Sequence, residues 1–287
     1  MTTEELTNQE IIAKALSALF SIDEFAGRIA LHGGQALIAH NISHRASQDI
    51  DLYVEENSIT EQERTLIEEA LKEQFNDSSM EVRNTKLDHL PSKTEPKRLA
   101  RIVVRVADKT DSTNKNRRAP VRHFGDTRSL KIEISLNNRM FCLDKINSDG
   151  VEIAVSSLVR IIYEKMLSLC QNAPSYLKTN SRESNTGKGL RAKDLFDMSS
   201  ILRSRPETGT EIIQANQIIF LKTMMKDIDV TKNDFLTLKQ DLDDYSERYN
   251  EEYNNMSRDQ VPLDERIDFT DAKACVLEAL NAILGVI

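Results

Sequence analysis

Cysteine is scarce and poorly placed for chemistry in this 287-residue chain. Cys142, Cys170 and Cys275 form an odd set with no metal-ligand spacing, which excludes a thiolate zinc site and a disulfide framework. A reducing compartment fits such usage. No apolar run approaches the roughly 20 residues that a membrane-spanning helix needs. The opening Met-Thr-Thr-Glu-Glu-Leu-Thr is acidic and polar where a signal peptide is basic and then apolar. A soluble, cytoplasmic protein with no membrane association is therefore expected. The five histidines, His32, His40, His44, His89 and His123, lack zinc spacing, so packing or exposure explains them better than catalysis does. No internal repeat of fixed period is visible.

What is present is enough apolar sequence, 39%, for a real core in one large domain or two ordinary ones. The net charge of −8 argues weakly against a dedicated nucleic-acid binder, but the charge is unevenly distributed. From Arg83 to Lys131 there are 14 lysines and arginines against 5 acids; from Asp227 to Asp271 there are 14 acids against 5 bases. The first segment suits a phosphate-rich partner such as RNA, or it is a solvated sheet edge protected by charge. With Phe124 as its one Phe, Tyr or Trp, it does not have the pattern of a protein that stacks on single-stranded bases. The acidic region suits a basic protein partner or a homodimer contact, and sequence does not choose between them.

Periodicity assigns the elements. A helical stripe predicts a helix over 4–20, and Arg28 to His32 reads as a short buried strand. Gly33-Gly34 then breaks to a helix over 35–40. A strand over 48–54 precedes a helix over 60–75, and further strands are predicted at 80–86, 99–106, 130–136 and 151–155. The stretch Asp108 to Pro120 has almost no apolar residue and reads as a mobile loop. Ser156 is the predicted N-cap of a long apolar helix carrying Glu164 and Lys165. A polar loop from Asn172 to Gly189 leads to a helix over 192–202, with more helices over 208–226, 231–250 and 264–284. The methionines are explained by core packing.

One stretch carries chemistry. In Gln48-Asp49-Ile50-Asp51-Leu52-Tyr53-Val54, apolar Ile50, Leu52 and Val54 alternate with Asp49, Asp51 and Tyr53, so both aspartates project from one face of a strand, roughly 7 Å apart. Paired carboxylates at that spacing can converge on Mg²⁺, a hard cation that prefers oxygen ligands. The turn at Gly33 and Gly34 lies upstream at a strand-to-helix junction, where unpaired N–H groups favour phosphate, although two glycines are more often merely a tight turn. Glu133 alternates with buried Ile132 and Ile134, making it a candidate third carboxylate or a solvated strand residue.

Taken together, Gly33-Gly34, Arg45-x-Ser47-x-Asp49-Ile50-Asp51-Leu52, Glu164-Lys165 on an apolar helix, and Arg191-Ala192-Lys193-Asp194-Leu195-Phe196-Asp197 resemble the AbiEii/AbiGii toxin family of nucleotidyltransferases. The match spans roughly residues 28–202. The interval from Gly34 to Asp49 is slightly long for the general nucleotidyltransferase signature. The resemblance implies an α+β fold: an N-terminal polymerase-β-like nucleotidyltransferase domain over 1–155, with a mixed sheet and flanking helices, then a C-terminal helical bundle over 156–287. It implies the toxin of a toxin–antitoxin pair, transferring a nucleotide from an NTP, with the 3′ end of tRNA as the leading acceptor and a cognate antitoxin as partner. By position, Asp49 and Asp51 would hold Mg²⁺, with Glu133 as the candidate third ligand. Lys165 would contact nucleotide phosphates, and Asp194 would complete the active site.

Duller roles stand beside these. Lys165 could be a surface helix lysine, and Asp194 could cap or pair with Arg191 or Lys193. Arg45 could hold a triphosphate oxygen through its planar fork or pair with an acidic neighbour. Ser47 shapes the turn, and Asp197 is the weaker of the two carboxylates in its helix. Two rival functions remain: an inactive binding module of the same fold, against which the intact charges argue, and an enzyme modifying a small molecule such as an antibiotic, which the basic segment disfavours.

Overall fold

The computed structural model describes residues 6–45, 47–92, 96–108, 124, 129–148, 150–179 and 189–287. The chain divides into two compact units, Met1–His40 with Ser47–Ser156, and Asn41–Ala46 with Ser157–Ile287.

The first unit is built on a mixed sheet. Its strands are β1 (Ile29–His32), β2 (Asp49–Val54), β3 (Met80–Leu90), β4 (Leu99–Asp108), β5 (Leu130–Ser135), β6 (Leu143–Ser148) and β7 (Val151–Ser156). Among the described residues they form seven strands in the order β3-β4-β5-β2-β1-β7-β6. β2 runs parallel to β5 and β1 parallel to β7, while the remaining pairs are antiparallel. Strand alternation sends Ile50, Leu52, Ile132, Ile134, Ile102 and Val104 to one face, where each is at most 1% exposed. Helices α1 (Asn8–Phe20) and α3 (Glu61–Gln74) pack on each other, and α3 lies against β3. Reciprocal capping boxes start both: Thr7 with Glu10, and Thr60 with Glu63. Ile67 and Leu71 of α3 are fully buried, a contribution of about 1.5–3 kcal/mol each. The short helix α2 (Gly33–Ala39) touches β1, β2 and β7.

The second unit is all helical among its described residues: α4 (Leu158–Asn172), α5 (Pro174–Thr179), α6 (Ala192–Ser204), α7 (Thr208–Glu211), α8 (Ala215–Asp227), α9 (Lys232–Asp244), α10 (Ser246–Gln260) and α11 (Phe269–Leu284). α6 is its axis, touching α4, α10 and α11 and burying Leu195, Phe196, Met198 and Ile201 completely.

Several expectations need correction. The cap of α4 is Ser157, whose hydroxyl accepts from the Arg160 N–H; Ser156 ends β7 instead. β3 runs on to Leu90, beyond the predicted end at 86. The 172–189 loop contains α5, and its residues 180–188 lie outside the described residues. The stretch 208–226 holds two helices, as does 231–250, where the chain turns at Tyr245 and α10 continues to Gln260. β6 was not anticipated. Of the expected loop Asp108 to Pro120, Asp108 ends β4 and the rest lies outside the described residues.

Candidate active site

Strand register gathers the candidate carboxylates on one face of the sheet. Asp51 sits opposite His32 of β1 and beside Glu133 of β5, and Asp49 sits beside Lys131. Cross-strand partners share a face, so a rung runs across the sheet through His32, Asp51, Glu133 and Arg101, the last paired with Glu133 from β4. Each acid has a nearby cation or ring. Arg101 Nη2 and Nε lie 2.7 and 2.8 Å from Glu133 Oε1, and Lys131 Nζ lies 3.9 Å from Asp49 Oδ1. Tyr53, two residues beyond Asp51, stacks flat on His32 with ring centroids 3.7 Å apart.

Gly33 is tied to this arrangement by two independent facts. Its φ is +69°, a left-handed conformation that favours glycine, and an added Cβ would lie 2.4 Å from Asp51 Oδ2. The missing side chain is thus the space that the Asp51 carboxylate occupies. Gly34 follows in the first turn of α2. The chain entering β2 is anchored at Ser47, whose carbonyl accepts from Gln35 Nε2 at 2.8 Å and Gln9 Nε2 at 3.4 Å.

In the helical unit, Lys165 of α4 meets a pair of carboxylates one turn apart on α6. Its Nζ lies 3.3 Å from Asp194 Oδ1 and 2.5 Å from Asp197 Oδ2. Asp197 also takes both prongs of Arg45, at 3.0 Å from Nε and 3.2 Å from Nη2. Arg191 Nε closes on Asp194 Oδ2 at 2.8 Å. Both aspartates are fully buried, and Arg45 is 9% exposed. Burial works against the Lys165 ammonium, but the charges of Asp197 and Asp194 outweigh it and hold its pKa above the ordinary value. Burial likewise opposes the Asp197 carboxylate, and Lys165 and Arg45 overcome it and pull its pKa down. Both groups are therefore charged at neutral pH, in a series of alternating sign that is buried from Asp194 through Lys165 and Asp197 to Arg45, with the half-exposed Arg191 at its outer end.

Of the two roles open to Arg45, the structure displays pairing with an acid. Lys165 is no surface lysine, and Asp194 pairs with Arg191 as well as with Lys165. Asp197, ranked second in its helix, is the hub of the cluster. Its i+3 spacing from Asp194, on a helix otherwise lined by Leu195, Phe196 and Met198, was the available signal. Among the described histidines, His40 Nε2 lies 2.9 Å from the Ser156 carbonyl, and the exposed His44 pairs through Nδ1 with Glu265 Oε1 at 2.5 Å.

Among the described residues, no three His, Cys, Asp or Glu side chains form a group that could hold a metal ion. Asp49, Asp51 and Glu133 thus share a face without forming a three-ligand cage, and Arg101 occupies Glu133. The Asp49/Asp51 pair still has the right donors for a hard cation, all oxygen, and Gly33 leaves room at Asp51. All three cysteines are free thiols, and among the described residues no helix is long and apolar enough to cross a membrane.

The comparisons agree with this architecture. A crystal structure of JHP933 from Helicobacter pylori superposes with a TM-score of 0.51 at 17% identity, covering 97% of this chain and 90% of that one. A second Helicobacter pylori protein, assigned as a nucleotidyltransferase, gives 0.52 at 16% identity, covering 97% and 92%. At such identities the likeness shows the fold. No curated protein matches the chain. One family's sequence model, described as nucleotidyl transferase AbiEii toxin of type IV toxin–antitoxin systems, matches residues 14–275. The chain belongs to the AbiEii family of nucleotidyltransferase toxins, which implies an NTP substrate and an antitoxin partner.

Proposed function

We propose that this nucleotidyltransferase moves a nucleoside monophosphate from an NTP onto the 3′ end of tRNA, in the presence of Mg²⁺, and that growth arrest follows. The observation that carries this reading is the aspartate pair on one strand face, with Gly33 leaving space at Asp51 that any side chain would fill. An acceptor hydroxyl attacks the α-phosphorus, an O–P bond forms, the bridging bond to the β-phosphate breaks, pyrophosphate leaves, and the hydroxyl proton is released to water.

In this reading Asp49 and Asp51 hold Mg²⁺, and Glu133, beside Asp51 in register, completes the acidic face. The ion, when bound, supplies activation of the hydroxyl and charge neutralisation on the pyrophosphate. Lys165 has three N–H donors, of which Asp194 and Asp197 take two, and the third serves a phosphate oxygen. Asp194 fixes Lys165 from one side. Arg45 acts through Asp197 on the other, and Ser47 shapes the approach to β2. The basic stretch from Arg83 to Lys131 is the acceptor-RNA surface, although its residues 93–95, 109–123 and 125–128 lie outside the described residues.

The test is transfer of label from each NTP, with Mg²⁺, to tRNA, bulk protein or small molecules. Label is expected in tRNA. Asp49→Asn and Asp51→Asn should each lower the rate by about 10²–10³-fold without lowering the melting temperature, because both carboxylates lie on the half-exposed face. Undiminished transfer by either variant would overturn the metal-site assignment, and label confined to protein or a small molecule would overturn the acceptor.

A further inference from the structure

One rung of the sheet sets Arg101 between two carboxylates. Glu133 of β5 stands opposite it on one side and Asp88 of β3 on the other. In such antiparallel pairs the side chains share a face, with Cβ atoms roughly 4.5–5.5 Å apart. Of the two, Arg101 takes Glu133: its Nη2 and Nε both close on Oε1, at 2.7 and 2.8 Å. Asp88 is held instead by Lys86, two residues earlier on its own strand, at 2.9 Å. The Lys86 side chain is 70% exposed, and an exposed pair of this kind is weak and readily exchanged. Asp88 is thus a second seat for the guanidinium, one strand spacing away. On the far side of Glu133 the same rung continues to Asp51, so the carboxylate that Arg101 occupies is the neighbour of the aspartate pair. Asp49, Asp51 and Glu133 share this face, yet among the described residues no three acids form a metal-holding group. An oxygen that accepts two guanidinium N–H groups is engaged by one cation already, and a second cation beside it meets the arginine's repulsion.

We propose that Arg101 is a positioning residue for nucleotidyl transfer: paired with Glu133 it withholds that carboxylate from the Asp49/Asp51 pair, and paired with Asp88 it releases Glu133 toward a divalent cation. The inference deepens the metal-site reading and rests on it. The two arrangements differ by the swing of one side chain across β4, and the ladder hydrogen bonds stay as they are. A divalent cation shifts the balance because Glu133 serves it fully only after Arg101 has left, which is the differential affinity that a population shift requires. The site therefore binds the ion more weakly than its three carboxylates would by themselves.

The experiment titrates Mn²⁺ into the full chain by calorimetry, without nucleotide and without turnover. Arg101→Gln is expected to bind Mn²⁺ about tenfold more tightly than the parent, the competing charge-assisted hydrogen bonds being gone. Arg101→Lys, which keeps the charge and loses the fork, should fall between the two. The gain should vanish when Glu133→Gln is added to Arg101→Gln. Asp88→Asn should weaken Mn²⁺ binding in the parent, where the released arginine needs that seat, and have no effect in Arg101→Gln. Unchanged affinity in Arg101→Gln, including no measurable binding in either protein, would overturn the proposal. So would an equal gain with Glu133→Gln present, which is the plain effect of removing a positive charge. Thermal melts confirm that the variants remain folded. If Asp49→Asn and Asp51→Asn bind Mn²⁺ like the parent, the metal-site reading fails and this inference with it; if they lose the ion while Arg101→Gln matches the parent, this inference alone fails.

Discussion

A single absent methyl group does much of the work at residue scale. Alanine at position 33 would combine a left-handed backbone with a Cβ 2.4 Å from Asp51 Oδ2, so either the strand-to-helix turn or the carboxylate must shift. Gly33→Ala is expected to lower stability by about 1–3 kcal/mol and to depress transfer more than stability alone explains. Gly34→Ala, without a positive φ to accommodate, should be milder in a urea titration. Equal stability and activity in Gly33→Ala would remove glycine from the site. Sequence identified Gly33 as a turn residue and Asp51 as a candidate ligand, but not that one makes room for the other. That contact joins residues 18 positions apart through the antiparallel register of β1 and β2.

At the scale of elements, α4, α6 and the 41–46 segment are joined by one ion cluster. Replacing Asp197 by alanine strands Arg45 and Lys165 with a single remaining carboxylate, and should cost about 3–5 kcal/mol. The pH dependence follows from the shifts. The Asp197 pKa is depressed in the fold, so its stabilisation is complete above the unfolded value of about 4 and is lost as pH falls through the folded value. The Lys165 pKa is raised, so its contribution is complete below about 10.4 and is lost as pH rises through the folded value. Urea titrations of the parent and Asp197→Asn should therefore differ most near neutrality, begin to converge below about pH 4 and meet only once pH is under the folded value; a constant difference would mean that Asp197 does not carry the acid response. Periodicity located the long buried helices because their stripes face one core. It missed β6, whose Leu143 and Ile146 do not alternate. That strand is mostly exposed and exists by pairing with β7, through a turn in which Asn147 Oδ1 accepts from the Gly150 N–H. It also ran α9 and α10 together, since a turn at Tyr245 with no glycine or proline leaves no local mark.

For the molecule as a whole, charge is the property that composition reports and structure redistributes. Part of the basic stretch lies on β3, an edge strand, where Arg83 pairs with Glu81 and Lys86 with Asp88. Those pairs fit edge protection. Arg98 and Arg105 are exposed, and they are the residues to test for RNA contact. Reversing both to glutamate should weaken RNA binding and reduce the slope of log affinity against log salt by roughly 1 to 2, at about 0.7–0.9 per phosphate contact. An unchanged slope in a filter-binding titration would show that the RNA surface lies elsewhere.

By itself, the sequence determined most of the order of strands and helices, though not β6 or α5, the split between a sheet and an all-helical half, the shared face of Asp49 and Asp51, and the family. The elements and the shared face follow from local periodicity, and the family from short motifs set along residues 28–202. Tertiary structure alone decided that Arg45 and Lys165 converge on Asp197 and that Arg101 claims Glu133. The physical reason is that a charge takes its role from whichever opposite charge the fold brings within hydrogen-bond reach. For Arg45 that partner lies 152 residues away, where no periodicity extends.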